Sequence, residues 1–104
     1  MPKHWQNKQT TNLFKAILKL ENIKECEIFF RDLCTLEEIT EMSNRWRVVQ
    51  LLGQGLSYRE IAKQTELSTT TVTRVAHWIE HGKGGYKLIL KRFKKNGQIK
   101  EKNR

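Results

Sequence analysis

Apolar residues along the chain recur at steps of three and four, the spacing that places them on one face of a helix. Leu13, Phe14, Ile17 and Leu18 define a first such face. Ile23, Cys26, Phe29, Phe30 and Leu33 define a second, with Lys24, Glu25 and Glu27 on its polar side. Thr35-Leu36-Glu37-Glu38 has the form of a capping box, in which the Thr35 hydroxyl accepts from the third helical N–H and Glu38 reaches back to the free N–H of Thr35. It opens a long helix with Leu36, Ile39, Met42, Trp46, Val49 and Leu52 inward, ended by Gly53-Gln54-Gly55. Ser57-Tyr58-Arg59-Glu60 repeats the capping signature and starts a short helix with Ile61, Ala62 and Thr65 inward. Ser68-Thr69-Thr70-Thr71 begins another, carried by Val72, Val75, Ala76 and Ile79 and stopped at His81-Gly82. A last amphipathic segment runs from Tyr86 to Phe93. No alternating stretch is long enough for a strand, so the pattern predicts an all-α chain of six helices.

Composition narrows the class. A length of 104 residues suits one domain, and 38% apolar with 30% charged residues excludes collagen-like, low-complexity and wholly disordered chains. No run approaches the roughly 18 consecutive apolar residues of a membrane span, so no membrane partner is expected. Met1-Pro2-Lys3-His4-Trp5-Gln6 lacks the apolar core of a signal peptide, which predicts the cytoplasm. The expected organisation is a flexible tail over residues 1–9, a helical domain over 10–93 and a disordered basic tail over 94–104.

The net charge of +9 is unevenly spread. Residues 82–104 hold nine basic residues and one acid, whereas residues 57–81 are neutral, with Arg59, Lys63 and Arg74 against Glu60, Glu66 and Glu80. A basic end on a near-neutral body suits a polyanion, because each phosphate neutralised releases condensed counterions. A solvated terminus that aids solubility has the same composition.

The informative stretch is residues 58–77. A short helix, a tight turn and a helix opening on small hydroxyl residues is the arrangement that lays a recognition helix in the major groove of DNA. Ala62 keeps the two helices close, and Ile61, Leu67, Val72 and Val75 supply the wedge between them. Ser68, Thr69, Thr70, Thr71 and Thr73 offer short donors and acceptors where phosphate oxygens and base edges lie. Arg59, Lys63 and Arg74 add charge-assisted contacts, and Tyr58 stacks on sugar or meets phosphate. Glu66 stands where such motifs usually carry glycine, which implies modest strain or a different turn, and it brings an anion to the DNA side. The leading expectation is a sequence-specific DNA-binding regulator. The rival is a protein-interaction or scaffolding helical dimer without specific DNA binding.

With these residues in view, the chain resembles the Trp repressor superfamily and, within it, the small bacterial YerC/YecD group, over about residues 10–93. The markers are Phe29-Phe30-Arg31-Asp32-Leu33-Cys34-Thr35, Asn44-Arg45-Trp46-Arg47 with Leu51-Leu52, Ser57-Tyr58-Arg59-Glu60-Ile61 and Thr71-Val72-Thr73-Arg74. The resemblance implies a six-helix Trp repressor-like fold in an intertwined homodimer. It implies one helix-turn-helix per subunit and a transcription regulator, a repressor, on a two-half-site operator in double-stranded DNA. The large apolar load of so short a chain, with Phe14, Phe29, Phe30 and Trp46, agrees with burial between two chains. The resemblance also implies an effector pocket: Arg45 and Arg74 match two arginines that grip tryptophan, and Thr35 matches a further pocket residue. Val75 replaces a glycine there and Trp78 a serine. Both would take space that the ligand's ring requires, so L-tryptophan is not expected to bind and the small-molecule effector is left without a name.

Several features carry less. His77 and His81 are four apart, a two-histidine metal spacing, but no third ligand is evident nearby and no metal is expected. Cys26 and Cys34 are eight apart, too far for a disulfide within one helix, and read as reduced thiols. Gly82-Lys83-Gly84-Gly85 follows no strand and reads as a hinge rather than a phosphate loop. No nucleophile, base and orienting group combine anywhere, so an enzyme is not expected.

Overall fold

The computed structural model describes residues 4–97. Six helices follow one another among them: α1 (Lys8–Ile17), α2 (Ile23–Leu33), α3 (Leu36–Gly53), α4 (Tyr58–Thr65), α5 (Thr69–His81) and α6 (Gly85–Lys95). No described residue is in a strand, and no helix among them is long and apolar enough to cross a membrane. The chain divides into two compact units, and the division falls inside α3, between Ile39 and Thr40.

The first unit is built on helix caps. The start of α1 lies within the stretch expected to be a tail: the Asn7 side chain accepts from the Thr10 N–H at 3.0 Å, and the Thr10 hydroxyl accepts from the Asn7 N–H at 2.9 Å. Each partner satisfies an N–H that the first helical turn leaves open. Asn22 caps α2 by accepting from the Glu25 N–H at 2.9 Å. Thr35 and Glu38 form the expected box, with N–H to carboxylate at 2.8 Å and N–H to hydroxyl at 3.1 Å. No described side chain of this unit is buried. Leu18 is 83% exposed and Ile23 79%, and Phe14, Ile28, Leu33 and Leu36 are also exposed. The faces predicted to point inward are amphipathic as expected, but at most half-buried, as at Leu13, Ile17, Phe29 and Phe30. Cys26 and Cys34 are free thiols, and the Arg31 guanidinium donates to the Cys34 carbonyl at 3.0 Å.

The second unit holds the core. Val48 and Val49 of α3, Ile61 of α4 and Val72 and Val75 of α5 are its buried side chains, and Trp46, Leu51, Leu52, Leu56, Ala62, Leu67, Ile79, Tyr86 and Leu90 pack around them. Val48 was not on the predicted inward face of α3, while Met42, which was, is exposed. Neighbouring residues of a helix lie about 100° apart around its axis, so burial of both valines means that α3 is covered over a wide arc. A single 3.6-residue period picks out one stripe and misses the second. Arg47 reaches from α3 to donate to the Gln64 carbonyl at 3.4 Å, which ties α3 to the last turn of α4.

Two close approaches set the path into α6. A Cβ on Gly53 would lie 3.0 Å from a Leu90 methyl group, and one on Gly82 would run into the Trp78 carbonyl. Gly84, at φ +88°, is the N-cap of α6. The helix continues to Lys95 with Asn96 as its C-cap, so Lys94 and Lys95 are helical rather than the start of a tail. The rest of the predicted tail, residues 98–104, lies outside the described residues.

Ile61 sits at the centre of this arrangement with none of its surface exposed. Ile61→Ala removes about three carbon atoms from a site that α3, α4 and α5 share, and is expected to cost roughly 2–5 kcal/mol, with Ile61→Val costing roughly 0.5–1.5 kcal/mol. Urea unfolding followed by circular dichroism measures both.

Candidate nucleic-acid interface

Helices α4 and α5 are joined by three residues, Glu66, Leu67 and Ser68. The Ser57–Glu60 box fixes where α4 begins: the Glu60 N–H donates to the Ser57 hydroxyl at 3.1 Å and the Ser57 N–H to the Glu60 carboxylate at 2.9 Å. Ile61 then turns into the core. At the other end the Thr65 hydroxyl donates to the Ile61 carbonyl at 2.7 Å and accepts from the Leu67 N–H at 3.3 Å. Leu67 is thereby directed onto the core cluster, as the wedge pattern predicts.

Glu66 resolves the question that the sequence raised. Its φ of +61° and ψ of 18° make it the only described non-glycine residue in the left-handed region. The turn keeps the backbone shape that glycine normally serves, and glutamate is held in it under strain. The same residue is the C-cap of α4, so its exposed carboxylate sits at the negative end of that helix's dipole. Neither feature stabilises the protomer, and the carboxylate has no partner among the described residues.

Helix α5 is anchored through Val72 and Val75, which leaves its first turn outside. Ser68 is the N-cap: its hydroxyl accepts from the Thr71 N–H at 3.0 Å and also lies 3.0 Å from the Thr71 hydroxyl. The Thr73 hydroxyl donates back to the Thr69 carbonyl at 2.8 Å. Three of the five predicted contact hydroxyls therefore have local partners, and Thr71 is half-buried. Thr69 and Thr70 differ. Both are exposed, and neither their hydroxyls nor their backbone N–H groups have an acceptor among the described residues. Two open N–H groups at the positive end of a thirteen-residue helix form an anion-receptive tip. Arg59 and Lys63 on α4 and Arg74 on α5 are exposed, and Tyr58, 45% exposed, opens α4.

A cleft of about 770 Å³ lies beside this tip, lined by Glu41, Asn44, Arg45, Thr71, Arg74 and Trp78 among others. It brings together Arg45, Arg74 and Trp78 of the predicted effector pocket. Thr35 belongs to the N-terminal unit, where it caps α3. Trp78, expected to occupy ligand space, is 58% exposed and lines the cleft. Val75, with its side chain in the core, is buried as part of the lining. Arg45 is held by Glu41 at 3.5 Å, an exposed pair of small energetic weight. A second, apolar cleft of about 530 Å³ opens on the other side of Trp78, against Trp46, Tyr86, Ile89 and Phe93. The Trp46 and Phe93 rings meet there at 5.8 Å. The His77 and His81 rings stack at 4.6 Å, and no group of three metal-ligating side chains occurs among the described residues.

An all-helical chain that presents an anion-receptive helix start beside basic side chains has the form of a nucleic-acid reader. The family model for the Trp repressor protein matches residues 8–94, and the chain belongs to that family, one of non-enzymatic DNA-binding regulators. It is 37% identical to the uncharacterized protein YerC of Bacillus subtilis (strain 168) over 89 residues, 86% of either chain. Among solved structures it matches a TrpR-like protein from Eubacterium eligens ATCC 27750 with a TM-score of 0.85 and 32% identity, over 96% of this chain and 100% of that one. A putative Trp repressor from Staphylococcus aureus matches with a TM-score of 0.83 and 38% identity, over 88% of this chain and 92% of that one. The Trp repressor-like all-α fold expected from the sequence is therefore the fold observed.

Left-handed backbone costs a residue with a side chain about 1–2 kcal/mol, and glycine returns part of that gain, about 0.5–1 kcal/mol, through its freer unfolded state. Removing an anion from a helix C-terminus adds about 0.3–1 kcal/mol. Glu66→Gly is thus expected to stabilise the protein by about 1 kcal/mol and raise its melting temperature by roughly 4–8 °C. Glu66→Val, β-branched and ill-suited to positive φ, is expected to lower it.

Proposed function

We propose that the protein is a sequence-specific transcription regulator, a repressor, that acts in the cytoplasm as an intertwined homodimer on a two-half-site operator. The observation that carries this reading is the exposed start of α5, where Thr69 and Thr70 offer open hydroxyls and N–H groups while Val72 and Val75 hold the rod in the core. Family membership supports it. In this reading α4 and α5 are a helix-turn-helix. The Thr69 and Thr70 hydroxyls and Arg74 meet base edges in the major groove, the two open N–H groups take a phosphate, and Tyr58, Arg59 and Lys63 hold the backbone. Ser68, Thr71 and Thr73 act mainly by fixing the shape of the tip, since their hydroxyls have local partners.

The N-terminal unit supplies the dimer. Apolar side chains such as Leu18 and Ile23, about four-fifths exposed in one protomer, form faces that a second copy covers. Two readers about 34–36 Å apart then address successive turns of the duplex, and each doubles the grip of the other. The cleft at Arg45 and Arg74 adjoins the reader, so a small anionic effector held there would act directly on the pose of α5. Val75 and Trp78 make that effector something other than L-tryptophan.

Gel shifts of genomic fragments test the DNA reading. Retardation that weakens as salt is raised, and that falls at least about tenfold on replacing Thr69, Thr70 and Arg74 by alanine, is the expected result. Failure to retard any fragment at low salt favours the protein-interaction alternative. Thermal melts with and without millimolar L-tryptophan test the effector statement: no upward shift is expected, and a clear one contradicts it.

A further inference from the structure

The reader is electrically neutral over residues 57–81, yet it carries a carboxylate at its turn that does nothing for the protomer. Glu66 is strained at φ +61°, lies at the wrong end of a helix dipole and has no partner among the described residues. A residue that breaks two local rules without local compensation marks a functional constraint. Its position indicates which one. Only Leu67 stands between it and Ser68, the cap of the anion-receptive tip, so the two Cα atoms are no more than about 7 Å apart. A separation of that order is comparable with the Debye length of about 8 Å at physiological salt, so a phosphate at Thr69 and Thr70 is partly screened from the carboxylate and feels it more as salt is lowered.

We infer that Glu66 is an electrostatic filter that weakens backbone-only DNA binding and so leaves residence on the duplex to base contacts. The inference rests on the DNA-binding reading above. The tip and the cations Arg59, Lys63 and Arg74 attract any duplex alike, because phosphate contacts carry no sequence information. An anion beside the tip taxes all of these encounters equally. A correct operator restores the loss through hydroxyl and arginine contacts to base edges, and a random sequence does not. An equal penalty leaves the ratio of operator to random binding unchanged, but it lowers random binding to where the duplex is released while the operator complex, held by base contacts, persists. At low salt, two unit charges about 7 Å apart in water repel by an amount equivalent to roughly threefold in an equilibrium constant, so a dimer with two such residues binds a random duplex up to roughly tenfold more weakly than one without.

The test uses the full chain and a random-sequence duplex of about 30 base pairs, with binding followed by fluorescence anisotropy at several salt concentrations and folding checked by circular dichroism. Glu66→Gln removes the charge and keeps the size, Glu66→Asn removes it in a residue that tolerates positive φ, and Glu66→Gly also relieves the strain. All three are expected to bind the random duplex about threefold to tenfold more tightly than the native chain, with the difference shrinking as salt is raised. A gain confined to the glycine variant assigns the effect to backbone strain and overturns the filter. Unchanged or weaker binding by the glutamine and asparagine variants overturns it too, and a loss confined to a retarded genomic fragment assigns Glu66 to base or cation contact instead. If the native chain and every variant leave both the random duplex and all genomic fragments unbound at low salt, the DNA reading itself fails and the filter falls with it. If the native chain binds and the variants match it, only the filter fails.

Discussion

Everything this molecule presents to a partner depends on a wedge of aliphatic side chains. Val48 and Val49 of α3 face Ile61 of α4 and Val72 and Val75 of α5, all essentially without exposed surface. Val72 closes the first turn of α5 and Val75 lies in the second, both in the core, while Ser68, Thr69 and Thr70 ahead of them are in solvent. The same packing gives Ala62 and Leu67 their places beside the turn. The hydrophobic effect here acts as a clamp: it positions polar atoms by burying apolar ones a few residues away. The Ser57 and Ser68 caps then fix the two helix starts on either side of the turn.

The division of labour between the two halves follows from the same economy. The buried core lies entirely in the second unit, whereas the first leaves Phe14, Leu18, Ile23, Ile28, Leu33 and Leu36 exposed. A chain of 104 residues has little core to spare, and these side chains are uncovered in one protomer. Caps on α1, α2 and α3 preserve those helices as defined rods without a core behind them.

Much of this was legible in the sequence because the signals are local. Both Thr35–Glu38 and Ser57–Glu60 act as the capping boxes their spacing announces, and the wedge residues Ile61, Val72 and Val75 are buried as predicted. What escaped was decided by competition or by tertiary context. The start of α1 was missed because its box uses Asn7 and Thr10 in place of the serine and glutamate of the common form. Val48 was missed because α3 is covered on more than one side. Hydroxyl residues in a row look equivalent in a sequence, but Ser68, Thr71 and Thr73 engage their own turn, a difference that only the folded backbone makes.

The anion-receptive tip of α5 is the feature on which the functional account stands. Amide hydrogen exchange of the protein alone and with a retarded genomic fragment reports on it residue by residue. The account predicts that added DNA slows exchange most at Thr69 and Thr70 and at the start of α4, with the buried amides of α3 little changed. Protection centred on α1 and α2, with residues 68–71 exchanging as freely as before, would contradict it.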